Sequence, residues 1–107
     1  MADRYWVGGS GTWTTGGTTK WSTTSGGPSG ASVPTAADNA IFDTGSNAGG
    51  YAVTIGAGAV CFNLSLGVPS GGGVVNILGN QPLACVGTTV FFNGTSTWSG
   101  TGQLQLS

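Results

Sequence analysis

The amino-acid sequence predicts an all-β chain. The favoured architecture is a short-stranded β-solenoid behind a turn-rich N-terminal cap, and the alternative is an antiparallel β-sandwich. Three observations lead there. Triplets with apolar outer residues recur through the second half, from Val53-Thr54-Ile55 to Leu104-Gln105-Leu106. Segments rich in Gly, Asn, Ser and Pro separate them and act as turn signals. The 107 residues include 22 Gly, 4 Trp, 4 Phe and 2 Tyr, with only 5% charged and a net charge of -1. Disordered chains combine high net charge with few aromatics, so this composition fits a β-protein of many tight turns.

The first unit, residues 1–48, reads as a cap or docking segment. Tyr5-Trp6-Val7 is a strand closed by Gly8-Gly9-Ser10-Gly11. Thr12-Trp13-Thr14-Thr15 is a second, closed by Gly16-Gly17, and Lys20-Trp21-Ser22 a third. Residues 23–34 form a loop centred on Gly26-Gly27-Pro28-Ser29-Gly30. Ala40-Ile41-Phe42 is a strand between the turn formers Asp38-Asn39 and Asp43-Thr44-Gly45-Ser46-Asn47.

The second unit, residues 49–107, reads as solenoid coils. Val53-Thr54-Ile55, Leu64-Ser65-Leu66 and Val75-Asn76-Ile77 start at intervals of 11 residues. Leu83-Ala84-Cys85, Val90-Phe91-Phe92 and Leu104-Gln105-Leu106 follow at less even spacing. In a strand the outer residues of each triplet face one side and the middle residue the other. Val53 and Val75 lie 22 apart, and Cys61 and Cys85 lie 24 apart. A period in the low twenties suits one solenoid coil, whose apolar face is buried by stacking on its neighbours. Strands every 8–12 residues also suit a sandwich. The brevity of the triplets favours the solenoid.

Val53, Ile55, Leu64, Leu66, Val75 and Ile77, with Phe42, are the expected interior. Trp6, Trp13 and Trp21 are expected to plug one end, since a solenoid needs caps. Tryptophans can instead stack on sugars, and Trp13 and Trp98 are the candidates for that role. Residues 9–14 (GSGTWT) resemble residues 94–99 (GTSTWS). This is either chance in a low-complexity chain or a repeated rung with Trp in one interior position. Cys61 and Cys85 read first as small buried hydrophobes, with a disulfide between them as the alternative.

Composition excludes several chemistries. Arg4 and Lys20 are the only basic side chains, far short of the stripe that nucleic acid or an anionic membrane surface requires. No run of residues is apolar enough for a transmembrane helix, and the N-terminus lacks the apolar core of a secretory signal. There is no histidine, which removes Ser-His-Asp and Cys-His catalysis. The carboxylates are Asp3, Asp38 and Asp43. Glycoside hydrolysis needs two carboxylates roughly 5–9.5 Å apart, whereas an extended chain holds Asp38 and Asp43 about 16 Å apart unless a turn brings them together. No P-loop is present. The segment Asp43-Thr44-Gly45-Ser46-Asn47 has oxygens at alternate positions, as calcium loops do, but reads better as a turn. The sequons at Asn63 and Asn93 are expected to be coincidental without a signal sequence. No catalytic residue, metal site or cofactor is expected.

The opening segment carries a family resemblance. Tyr5-Trp6-Val7-Gly8-Gly9-Ser10-Gly11-Thr12-Trp13, Lys20-Trp21-Ser22, the run Gly26 to Thr35 and Asp38-Asn39-Ala40-Ile41-Phe42-Asp43 are its elements. Together they resemble the start of Gly/Thr-rich tail-fibre and other virion surface proteins of tailed bacteriophages. Similar W-x-G-G-x-G-x-W elements occur in large β-helical bacterial surface proteins. The likeness covers about the first 45 residues, and the rest matches in style. The resemblance implies a right-handed β-helix or related fold, trimeric in fibres, with an N-terminal part that docks on the particle. It carries no catalytic residue. Such fibres are usually far longer. A chain stopping at Ser107, just after Leu104-Gln105-Leu106, implies a fragment, an end covered by a partner subunit, or a small decoration protein.

The expected function is therefore that of a non-catalytic structural virion protein of a tailed bacteriophage. It is either the particle-anchoring part of a tail fibre or spike or a capsid decoration protein. It would be made in the host cytoplasm, with other virion proteins and copies of itself, a homotrimer, as partners. The alternative is a carbohydrate-binding or adhesive module of a bacterial surface protein, meeting host surface glycans.

Overall fold

The computed structural model describes residues 2–14, 17–67, 75–78, 83–87, 90–92, 96–98 and 104–106. These residues are all-β, with no helix among them. The strands are β1 (Asp3–Trp6), β2 (Gly11–Trp13), β3 (Trp21–Ser22), β4 (Asn39–Phe42), β5 (Tyr51–Ile55), β6 (Val60–Cys61), β7 (Leu64–Leu66), β8 (Val75–Leu78), β9 (Leu83–Cys85), β10 (Val90–Phe92), β11 (Ser96–Trp98) and β12 (Leu104–Leu106). None exceeds five residues, because glycine-bearing turns interrupt each apolar run.

Three sheets result, with strand orders β10-β7-β4-β1-β3, β11-β8-β5-β2 and β12-β9-β6. Among the described residues every pairing is parallel except that of β1 with β3, which makes the first sheet mixed. The sequence β4, β5, β6 recurs as β7, β8, β9, each strand beside its counterpart. Ala40 pairs with Leu64, Val53 with Ile77 and Cys61 with Cys85, 24 residues each time. The step to the last three strands is less even: Leu64 pairs with Val90, Ile77 with Trp98 and Cys85 with Leu106. From the first strands the step is longer, Arg4 to Ala40 and Gly11 to Val53, because the segment bearing β3 intervenes. The ladders β2–β5 and β4–β7 run across the boundary expected near residue 49, so one set of sheets includes both halves.

Alternation fills the interior as strand geometry dictates. On β5, Tyr51, Val53 and Ile55 are buried while Ala52 and Thr54 are half-exposed. On β4, Ala40 and Phe42 are buried and Ile41 half-exposed. Ala59, Cys61, Leu64 and Leu83 complete the core. Gly56 and Gly67 allow close stacking where the strands turn. Their amides donate to the carbonyls of Trp13 and Phe42, at 2.8 and 2.6 Å. A Cβ at either position would meet that same carbonyl oxygen, at 2.6 and 2.9 Å.

The observed register corrects one expectation. The interval of 22 residues would set Val53 beside Val75, but Val75 pairs with Tyr51 and Ile77 with Val53. Strand β5 begins two residues before its apparent triplet because Tyr51 is itself an inward residue.

Candidate functional site

The distinctive feature of the described residues is the closure at β3. Trp21, on this strand, is paired antiparallel to β1, with Tyr5 opposite Ser22 and Trp6 opposite Trp21. The amide of Val7 donates to the Lys20 carbonyl at 2.8 Å and extends this pairing. On the far side of β3, the Ala31 amide donates to the Trp21 carbonyl at 3.1 Å, and Ala31 and Val33 pack on the core. The strand edge that β1 would present is thus covered by a reversed strand and then by a loop, two devices that block further pairing.

Beneath this closure four aromatic rings meet. Trp21 is edge-on to Trp6 and Trp13, with centroids 5.2 and 5.0 Å apart, and to Phe42 at 5.8 Å. Trp6 stacks on Phe42 at 5.4 Å. Such edge-to-face and offset contacts place ring edges against ring faces of opposite partial charge. All four side chains are at most 1% exposed. The Trp6 indole N–H donates to the Gly9 carbonyl at 2.7 Å, across a turn in which Gly8 and Gly9 both have positive φ. The Trp13 indole N–H is buried with no hydrogen-bond partner.

This burial corrects the sugar-stacking expectation at Trp13, whose 0% exposure leaves no face for a ligand. The other candidate, Trp98, lies on β11, and its side chain falls outside the described residues. The echo between the Trp13 and Trp98 segments is not one repeated position. Both strands belong to the same sheet, but Trp13 pairs with Ile55, whereas Trp98 is in line with Ile77, Val53 and Gly11. Of the expected interior, Trp6, Trp13, Trp21, Phe42, Val53, Ile55 and Leu64 are buried. Leu66, Val75 and Ile77 lie on β7 and β8, with side chains outside the described set. Strand β6 was not legible as a triplet, and only the Cys61–Cys85 interval marked it.

Polar groups around the closure serve the backbone. Asp38 accepts from the Thr35 amide at 2.9 Å, the Thr35 hydroxyl at 3.0 Å and the Ala2 amide at 3.3 Å. The Thr35 amide, ahead of the other donors and Arg4, holds the Asp38 carboxyl below its ordinary value of 3.8, although burial opposes this. Arg4 donates to the carbonyl and hydroxyl of Ser32 at 2.9 and 3.0 Å. Asp43 builds a turn: one carboxylate oxygen accepts from the Gly45 amide at 2.9 Å and the other from the Ser25 hydroxyl at 2.7 Å. Both carboxylate oxygens of Asp43, the one acidic residue of the calcium-loop alternative, are thus engaged by donors. Among the described residues no group of three His, Cys, Asp or Glu side chains comes together. Asp38 and Asp43 stand at opposite ends of β4 with different partners. Burial pushes the Tyr51 hydroxyl up to about 12, with the Asp43 carboxylate adding to the effect and Ser46 opposing it. The contact with Ser46 falls short of hydrogen-bond geometry, so burial sets the direction of the shift.

Comparison with protein families, with characterised proteins and with solved structures finds no match to this chain.

Proposed function

We propose that the chain is a non-catalytic assembly module: a short, three-faced parallel β-solenoid, capped at its N-terminal end. Its place would be in the particle of a tailed bacteriophage, as the anchoring part of a tail fibre or spike or as a head-decoration protein. The observation that carries this reading is the common 24-residue step in all three sheets, beneath a reversed strand and an aromatic plug. One step shared by three side-by-side parallel ladders is what stacked coils produce, and a covered first edge is what a solenoid cap provides.

The mechanism is packing and symmetric assembly. The aromatic plug fixes one end, which gives the module a direction. Among the described residues, β10, β11 and β12 each pair on one side only, so the opposite end carries the strand edges that further β-structure would meet. Partners are copies of the chain, in a trimer, and other virion proteins. With 5% charged residues, the contacts are made by backbone and hydroxyl hydrogen bonds and apolar surface. Assembly should therefore change little between low and high ionic strength.

The test is light scattering after size exclusion. A stable trimer or larger assembly that persists in high salt is expected. A folded monomer at all concentrations would overturn the assembly reading and turn attention to glycan binding. Trp6, Trp13 and Trp21 are buried, so a change in tryptophan fluorescence on glycan titration would have to come from Trp98, and an assembly module is expected to give none.

A further inference from the structure

The two cysteines of the chain stand side by side. Cys61 closes β6 and Cys85 closes β9, and the two are Cα partners in a parallel ladder. Cys61 is fully buried in the core. In-register residues on neighbouring strands lie about 4.8 Å apart. That distance falls inside the roughly 4.4–6.8 Å between Cα atoms that a disulfide spans. In-register positions also share one face of a sheet, so Cys85 occupies the position beside Cys61 on the face where Cys61 is buried.

We propose that Cys61 and Cys85 form a disulfide that ties β6 to β9 when the chain folds against a small disulfide oxidant, such as oxidised glutathione. One cysteine thiolate attacks a sulfur of the oxidant, making a mixed disulfide and releasing one glutathione thiolate. The second cysteine thiolate attacks the protein sulfur of that mixed disulfide and releases the other. The protein gives up two electrons and two protons; the oxidant takes both electrons, and its two thiolates take the protons. The bond closes a loop of 24 residues, one full step between the second and third sets of strands. It therefore restrains the unfolded chain by one whole repeat. The inference rests on the strand register alone and holds whatever particle or surface the chain serves.

The experiment refolds the whole chain in a glutathione redox buffer, denatures it with an alkylating agent in the absence of reductant, and reads the intact mass. A monomer with no label is expected, taking two labels after reduction, with a denaturation midpoint that falls when reductant is added. Two labels without reduction, a stable glutathione adduct or a disulfide-linked dimer as the main product would overturn the proposal. A register control combines Cys85→Ala with Ala84→Cys. This moves the thiol opposite Val60, onto the other face of the sheet. Both cysteines should then take label without reduction, and bridging to the wild-type extent would overturn the register argument. The wild-type mass decides the matter by itself should the variant misfold.

Discussion

Replacing Trp21 by alanine tests the closure at its centre. The side chain is 1% exposed and faces Trp6, Trp13 and Phe42 with centroids 5.0 to 5.8 Å away. A buried tryptophan removes about 200 Å² from water. At about 25 cal/mol per Å² this corresponds to about 5 kcal/mol, an upper value because denatured chains are not fully extended. Trp21→Ala is therefore expected to lower stability by about 4 kcal/mol, in line with other large-to-small aromatic substitutions in cores. For an m-value near 2 kcal/mol per molar urea, the unfolding midpoint should fall by about 2 M. Urea unfolding followed by far-ultraviolet circular dichroism reads this directly. The double mutant with Trp13→Ala should show a coupling of about 1 kcal/mol. Val86→Ala, at a site 38% exposed, provides the control and should stay within about 0.5 kcal/mol of wild type. A loss below about 1 kcal/mol for Trp21→Ala would refute the packed closure.

Other expectations follow from individual contacts. Tyr51 has a native value raised from 10.0 to about 12, so the folded state favours the neutral phenol. Its contribution is complete below pH 10 and is lost as pH rises through 12, by roughly 2 kcal/mol once solvent screening is allowed for. Tyr51→Phe should abolish that alkaline loss, as read in urea titrations at each pH, and leave stability at neutral pH unchanged or higher. Asp38 behaves oppositely. Its carboxyl lies below 3.8 in the folded chain, so its contribution is complete above that value and is lost as pH falls beneath it. Asp38→Asn should flatten that acid limb and cost about 1 kcal/mol at pH 7 through weakened bonds to Thr35 and Ala2. Gly56→Ala sets a Cβ 2.6 Å from the Trp13 carbonyl oxygen and should lose about 2 kcal/mol in thermal unfolding. Gly49→Ala, with open space around the new carbon, should stay within about 0.5 kcal/mol.

Much of the strand pattern is legible in the sequence because apolar side chains at alternate positions share a face. Val53 and Ile55 show this, and so do Trp6, Trp13 and Trp21, too bulky and too close together to leave in water. The register was harder to read. Tyr51 lies outside the triplet Val53-Thr54-Ile55, yet it is an inward rung that displaces the pairing by two residues. Strand β6 has two residues and no triplet, so only the spacing of its cysteine hinted at a partner. The reversal of β3 was not legible, because strand direction depends on a long loop whose glycines permit many paths. The buried state of Trp13 depends on that reversal: the same indole on an uncapped sheet would have been free to meet a sugar.

The ladder spacing also governs how the chain reaches its fold. Val53 waits for Ile77 and Ala40 for Leu64, and even the antiparallel pair joins Tyr5 to Ser22. No described pairing is a tight hairpin that could form early and cheaply. Each ladder must close a loop of many residues before its first hydrogen bond compensates for the lost chain entropy. Folding should therefore take milliseconds to seconds, the regime of non-local β-topologies. During that interval strand edges lie open on a chain with 5% charged residues, and little repulsion keeps copies apart. Refolding yield should fall steeply with protein concentration, so that the rate of chain closure, more than the final stability, limits how much native protein is recovered.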